Sequence, residues 1–155
     1  MTDCTCPECG AVFDLKTKGK ARSYPQLKRF HAVIKAAFHH WPTEHRFKPK
    51  NQDHLRAWLE VEAGHFEVVK TIRCETVEAS HLTALLTAIM RSCDDDKIFV
   101  EAEGNVVTVK RALSISYAML AHLSACALFD QIDHVIKTEI GIDTDTLLKE
   151  TEKAA

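Results

Sequence analysis

No run of apolar residues in this chain approaches the ~20 that a membrane-spanning helix needs, and the N-terminus lacks the pattern of a secretion signal. A cytoplasmic location without a membrane partner is therefore expected. Phosphate-cradling glycine loops, a nucleophile elbow, and the His-Glu-x-x-His and His-x-Asn metal-site spacings are all missing. Nine histidines are present, yet no two share a ligand spacing with a supporting carboxylate. The chain is not expected to be an enzyme; a metal-dependent nuclease of novel pattern is the one enzymatic alternative. Six cysteines without a secretion signal do not read as a disulfide framework. Internal repeats and low-complexity segments are absent too. What remains is an ordinary globular composition in 155 residues, enough to bury roughly two-thirds of the unfolded surface in one domain.

Acidic residues are nearly missing from one region. Between positions 16 and 50 the sole acid is Glu44, against ten basic residues: Lys16, Lys18, Lys20, Arg22, Lys28, Arg29, Lys35, Arg46, Lys48 and Lys50. That segment is +9, and the rest of the chain, with 10 basic and 21 acidic residues, is −11. Such segregation predicts a polyanion-binding face, unless the cations form only a solvated surface that happens to be contiguous. At its centre, residues 20–41 read KARSYPQLKRFHAVIKAAFHHW. Ser23-Tyr24-Pro25-Gln26 is a Ser-x-x-Gln capping box with proline in the first turn. Leu27, Phe30, Ile34, Ala37, Phe38 and Trp41 recur at the spacing of one helical face, and Pro42 forbids continuation. The opposite face carries Lys28, Arg29, His31, Lys35, His39 and His40. In the following loop Arg46, Lys48 and Lys50 surround Phe47. There the cations would hold phosphates while the ring takes a base, or else Phe47 simply pins the loop to the core. Arg22, Lys28 and Arg29 stand out because the helix start gathers them and its dipole favours phosphate. For Arg22 the alternative is a structural ion pair.

Residues 3–10, DCTCPECG, hold Cys4, Cys6 and Cys9. Cys6-Pro-Glu-Cys9-Gly10 has the C-x-x-C-G form of a zinc knuckle, in which the turn aims backbone N–H groups at thiolates. One structural zinc with Cys4 as third ligand fits this pattern. The fourth ligand would be a distant histidine, Cys74, Cys93 or a group from a neighbouring subunit. The alternative is a reduced, metal-free tail. Residues 1–20 thus read as a cysteine-containing tail or knuckle, and 21–155 as the α+β domain.

Downstream, a strand is expected within 11–16, a helix over 52–63 between Asn51 and Gly64, and a strand over 65–74. A helix follows over 78–91, whose stripe Leu82, Leu85, Leu86, Ile89 and Met90 reads as core. Asp94-Asp95-Asp96 points its carboxylates in different directions and reads as a solvated turn rather than a metal cluster. Strands 98–103 and 106–110 form a hairpin around Glu103-Gly104-Asn105, with Lys110 and Arg111 available to extend the basic surface. A long helix over 117–140 would face Leu120, Leu123, Ala127, Ile132, Val135 and Ile136 inward, and an amphipathic tail over 144–153 ends the chain. The fold class expected is α+β, with about four helices packed on a small, mainly antiparallel sheet.

Three stretches resemble a known phage family. Arg22-Ser23-x-x-Gln26 before an aromatic-rich helix, Trp58 to Phe66 (WLEVEAGHF), and Ser114-Ile115-Ser116-x-x-Met119 with Glu139-x-Gly141-Ile142 occur in the family's order. The family is the NinB (Orf) recombination proteins of lambdoid phages, and a related phage family of unknown function matches the second block better. The similarity covers about residues 21–148; the cysteine-rich N-terminus and the helix over 78–91 depart from it. The resemblance implies a NinB-like α+β homodimer that binds single-stranded DNA and assists homologous recombination with host single-strand-binding protein. A different reading takes the chain as a protein-interaction module. It would present Asp130, Asp133, Glu139, Asp143 and Asp145 to a basic surface of a host replication, transcription or defence complex.

Overall fold

The computed structural model describes residues 3–5, 12–14, 24–75, 77–92, 95–115 and 122–154. It is an α+β structure with five helices, a three-stranded antiparallel sheet and a separate two-stranded pair among the described residues. Chain contacts divide it into two compact units, one formed by residues up to Gln52 and from Ser114 onward, the other by Asp53–Leu113.

In the first unit, β1 (Asp3–Thr5) pairs antiparallel with β2 (Val12–Asp14), Cys4 opposite Phe13. Helix α1 (Tyr24–His39) starts with Pro25 in its first turn and stops short of Pro42. Its buried stripe, Phe30, Val33, Ile34 and Ala37, follows the predicted periodicity. Helices α4 (His122–Ile140) and α5 (Thr144–Ala154) pack on it, and the Phe30 and Phe129 rings stack 4.2 Å apart. The buried line of α4 runs through Ala125, Leu128, Phe129, Ile132 and Ile136, whereas Ala127, expected inside, is exposed. Ala127 and Ile132 are five residues apart, about 140° around a helix, so one face cannot hold both. Leu120 lies outside the described residues. The predicted tail is a full fifth helix: Asp143 accepts from the Thr146 N–H at 3.0 Å as its N-cap, and Leu147 is fully buried.

In the second unit, α2 (Gln52–Glu62) ends in a Schellman motif. His65 N–H donates to Glu60 O at 2.8 Å and Gly64 N–H to Val61 O at 3.0 Å. Gly64 sits at φ 83°, which a side chain would strain. The sheet order is β3 (Phe66–Arg73), β5 (Val106–Ala112), β4 (Ile98–Glu103). Ala57 and Val61 of α2 cluster with Ala112, Phe66 and Phe99 on the sheet. Val107 and Val109, buried too, point by alternation to the face opposite Ala112. Helix α3 (Ala79–Ser92) packs along β4 and β5. Its stripe is not the core that periodicity predicted: Leu85 is 58% exposed and Ile89 42%. Edge strand β3 carries a bulge at Val69, because Val68 pairs with Lys110 and Lys70 with Val109. Lys97 N–H donates to Asp95 Oδ1 at 3.1 Å, the local turn expected of the acidic triplet.

Candidate nucleic-acid interface

The candidate interface is the exposed side of α1. Lys28, His31, Lys35 and His39 are exposed along one side of the helix, where spacings of three and four residues bring them into line. The loop after α1 adds exposed Arg46, Lys48 and Lys50. Lys28, Lys35 and Lys48 have no ion-pair partner among the described residues. Lys16, Lys18, Lys20 and Arg22 lie outside the described residues, as do Cys6, Cys9 and Cys93; of Cys4 the backbone on β1 is described.

Arg29 has a different role from its neighbours. Its guanidinium donates to Asp133 Oδ2 at 3.1 Å, to Asp145 Oδ1 at 3.1 Å and to Thr144 Oγ1 at 3.2 Å. Thr144 Oγ1 in turn donates to Asp133 Oδ2. Burial pulls the Arg29 pKa down, but the hydrogen bond to Asp145 and the charge of Asp133 more than offset this and hold it above its ordinary value. Burial likewise raises the Asp133 carboxyl, against the attraction of Arg29. The cation that sequence placed on the phosphate face is therefore a clamp joining α1 to α4 and α5. Both partners are partly solvated, so the clamp is worth on the order of 1 kcal/mol, plus the cost of stranding Asp133 when it is cut. Arg29→Ala is expected to lower stability by about 1–2 kcal/mol in urea unfolding, and Arg29→Lys, without the fork, to recover less than half.

The loop after α1 is also tied inward. Trp41 Nε1 donates to Phe47 O at 2.9 Å, and the two rings meet edge to face. His45 Nδ1 lies 3.0 Å from the Phe47 N–H, and His45 Nε2 lies 2.8 Å from Glu139 Oε2 on α4. Half-buried Phe47 is thus a pin, and the cations around it remain outside. Four of the five acidic residues of the protein-interaction reading have internal partners: Asp133 and Asp145 hold Arg29, Glu139 holds His45, and Asp143 caps α5. Hydrogen bonds from the Thr146 hydroxyl and N–H keep the Asp143 carboxyl below its ordinary range.

In the second unit, Lys110 binds Glu101 and sits 4.6 Å above the Phe66 ring, while Arg111 lies 3.6 Å from Glu67. Neighbouring strands thus supply partners for both cations. A different chemistry lies in α2, at a residue that no motif or spacing singles out. Glu60 is 4% exposed, and its Oε1 has no hydrogen bond although Arg56 Nε is 3.7 Å away. Burial outweighs the attraction of Arg56 and Lys97 and pushes the Glu60 pKa up to about 7. His54, also buried, stacks on Phe99 with ring centroids 5.6 Å apart. A carboxyl so enclosed makes stability depend on pH. Among the described residues no group of three or more His, Cys, Asp or Glu side chains is placed to hold a metal, and no helix is long and apolar enough to cross a membrane. Compared with protein-family models, curated proteins and solved structures, the chain matches none of them.

Proposed function

We propose that this chain is a nucleic-acid-binding accessory protein that holds single-stranded DNA on the outer face of α1 and assists recombination beside a single-strand-binding protein. The observation that carries the reading is the set of exposed cations without carboxylate partners among the described residues, Lys28, Lys35 and Lys48, in a segment of net charge +9. Of the carboxylates of α4 and α5, Asp133 and Asp145 are turned to Arg29, Glu139 to His45 and Asp143 to the cap of α5. Backbone neutralisation without base readout gives affinity that depends on salt and little on sequence. The test is fluorescence anisotropy of labelled single-stranded and duplex DNA against the full chain across a salt series. Micromolar or tighter binding that favours the single strand and weakens steeply with salt is expected. No binding at low salt overturns the reading.

The same proposal includes one structural zinc on Cys4, Cys6 and Cys9. Support comes from the antiparallel pairing of β1 with β2, whose strands bracket Cys6 and Cys9 in sequence as a knuckle requires. Plasma emission spectrometry of protein purified without chelator is expected to find about one zinc per chain, and Cys6→Ser with Cys9→Ser to abolish it. Zinc unchanged in the double variant, or absent from the native chain, rules the knuckle out.

A further inference from the structure

Two histidines stand within the row of lysines on α1. Lys28, His31, Lys35 and His39 follow one another at steps of three, four and four residues, which keeps them within about 80° of arc over about 16 Å of helix. All four are exposed. Each histidine follows a phenylalanine and meets its ring edge to face, His31 on Phe30 with centroids 5.5 Å apart and His39 on Phe38 at 6.2 Å. Phe30 is buried and Phe38 half-buried, so both imidazoles lean on rings that the core holds. A side chain ordered in this way loses less freedom when it takes a ligand. Building on the nucleic-acid reading, we infer that His31 and His39 are phosphate ligands of this stripe and bind as imidazolium, so that the chain takes up protons when it takes up single-stranded DNA.

The charges around the two rings set this coupling. Helix α1 contains no acidic residue, so no carboxylate of its own competes for an imidazolium. The charged groups on the same side are Lys28 and Lys35, and like charges three or four residues apart on a helix repel. Exposed His40 follows at the end of the helix, and the loop beyond it is basic but for Glu44. From the helices packed on α1, Asp133 and Asp145 meet it at Arg29. A phosphate laid over the row reverses the balance, because it attracts the imidazolium that the lysines repel. The protonated ring also offers two N–H donors and a charge, where the neutral ring offers one donor. Binding therefore favours protonation, and by linkage protonation favours binding. Affinity rises as pH falls through the range in which histidine gains its charge. Lysines alone, charged throughout that range, would leave affinity flat.

The test is fluorescence anisotropy of a labelled thymidine oligomer, whose bases and phosphates do not titrate here, against the full chain at pH 6, 7 and 8 with a salt series at each. Affinity is expected to be about tenfold higher at pH 6 than at pH 8, and the slope of log K against log salt steeper by about 1. His31→Gln with His39→Gln, both at exposed positions, is expected to bind as the parent does at pH 8 and to lose both differences. His40→Gln, one residue on and so on another side of the helix, is expected to keep them. Circular dichroism checks that each variant folds as the parent does at each pH. Titration calorimetry at pH 7 in two buffers of different ionisation enthalpy counts the protons directly, about one taken up per chain bound in the parent and none in the double variant. A parent that binds equally at pH 6 and pH 8 overturns the inference and leaves the nucleic-acid reading standing. So does a double variant that keeps the parent's pH dependence. No binding at any pH overturns both.

Discussion

Glu60→Gln makes the protein more stable at pH 8 by about 3 kcal/mol and leaves it unchanged at pH 4. The figure follows from the distance between an ordinary glutamate at 4.5 and the folded-state value of about 7 at about 1.4 kcal/mol per pH unit. The folded state holds this proton more tightly than the unfolded chain does. Its contribution to stability is therefore complete below pH 4.5, declines as pH rises between 4.5 and 7, and is gone above 7. Physically, ionisation strands a charge at a site 4% open to water, where Arg56 approaches only to 3.7 Å and also attends to Asp53. Glutamine keeps the shape and stays neutral at every pH. Urea midpoints of parent and variant at pH 4, 6 and 8 read the effect, and subtracting one series from the other removes the histidines and other carboxyls. Parallel curves at all three pH values would show that Glu60 does not titrate near neutrality.

No local pattern in the sequence marks Glu60 as buried. It sits in α2 beside charged Arg56 and Glu62, and its burial is decided by how α2 lies on a sheet whose strands come later in the chain. The elements themselves were legible wherever a local cause acts alone. Pro25 and Pro42 bound α1, Gly64 ends α2, and Gly104 at φ 59° turns the β4–β5 hairpin, all within a residue or two of expectation. Periodicity also found the buried face of α1, but the stripe it drew on α3 is divided between half-buried Leu82, Leu86 and Met90 and exposed Leu85 and Ile89. It reports which residues share a face, not whether anything covers it, and so Leu85 and Ile89 read as core but are exposed. Arg29 shows the same limit for charge. Its partners are 104 and 116 residues away, and no local spacing distinguishes a cation that clamps two helices from one that faces solvent. Asp143 was not legible as a cap, because a short amphipathic segment becomes a helix only when Leu147 finds a core.

That difference between Arg29 and its neighbours sets the largest effect expected on binding. Lys28→Glu with Lys35→Glu replaces two cations that have no ion-pair partner among the described residues by two anions on the same side of α1, and the affinity for single-stranded DNA is expected to fall about 100-fold at low salt. Counterion release fixes a second, independent reading. Each lost phosphate contact removes about 0.7 from the slope of log K against log salt on a single strand, so the double variant should be shallower by about 1.4. Lys48→Glu, a single position on the loop, is expected to cost about tenfold and about 0.7 in slope. Arg29→Ala behaves oppositely: its charge is already matched by Asp133 and Asp145, so stability drops while the slope stays as it is. Slope and stability together therefore separate the two kinds of basic residue within one helix. Should the double variant bind as the parent does, while Arg29→Ala flattens the slope, phosphates would be meeting the clamp rather than the stripe. The carboxylates of α4 and α5 would then have to release Arg29 whenever DNA is bound.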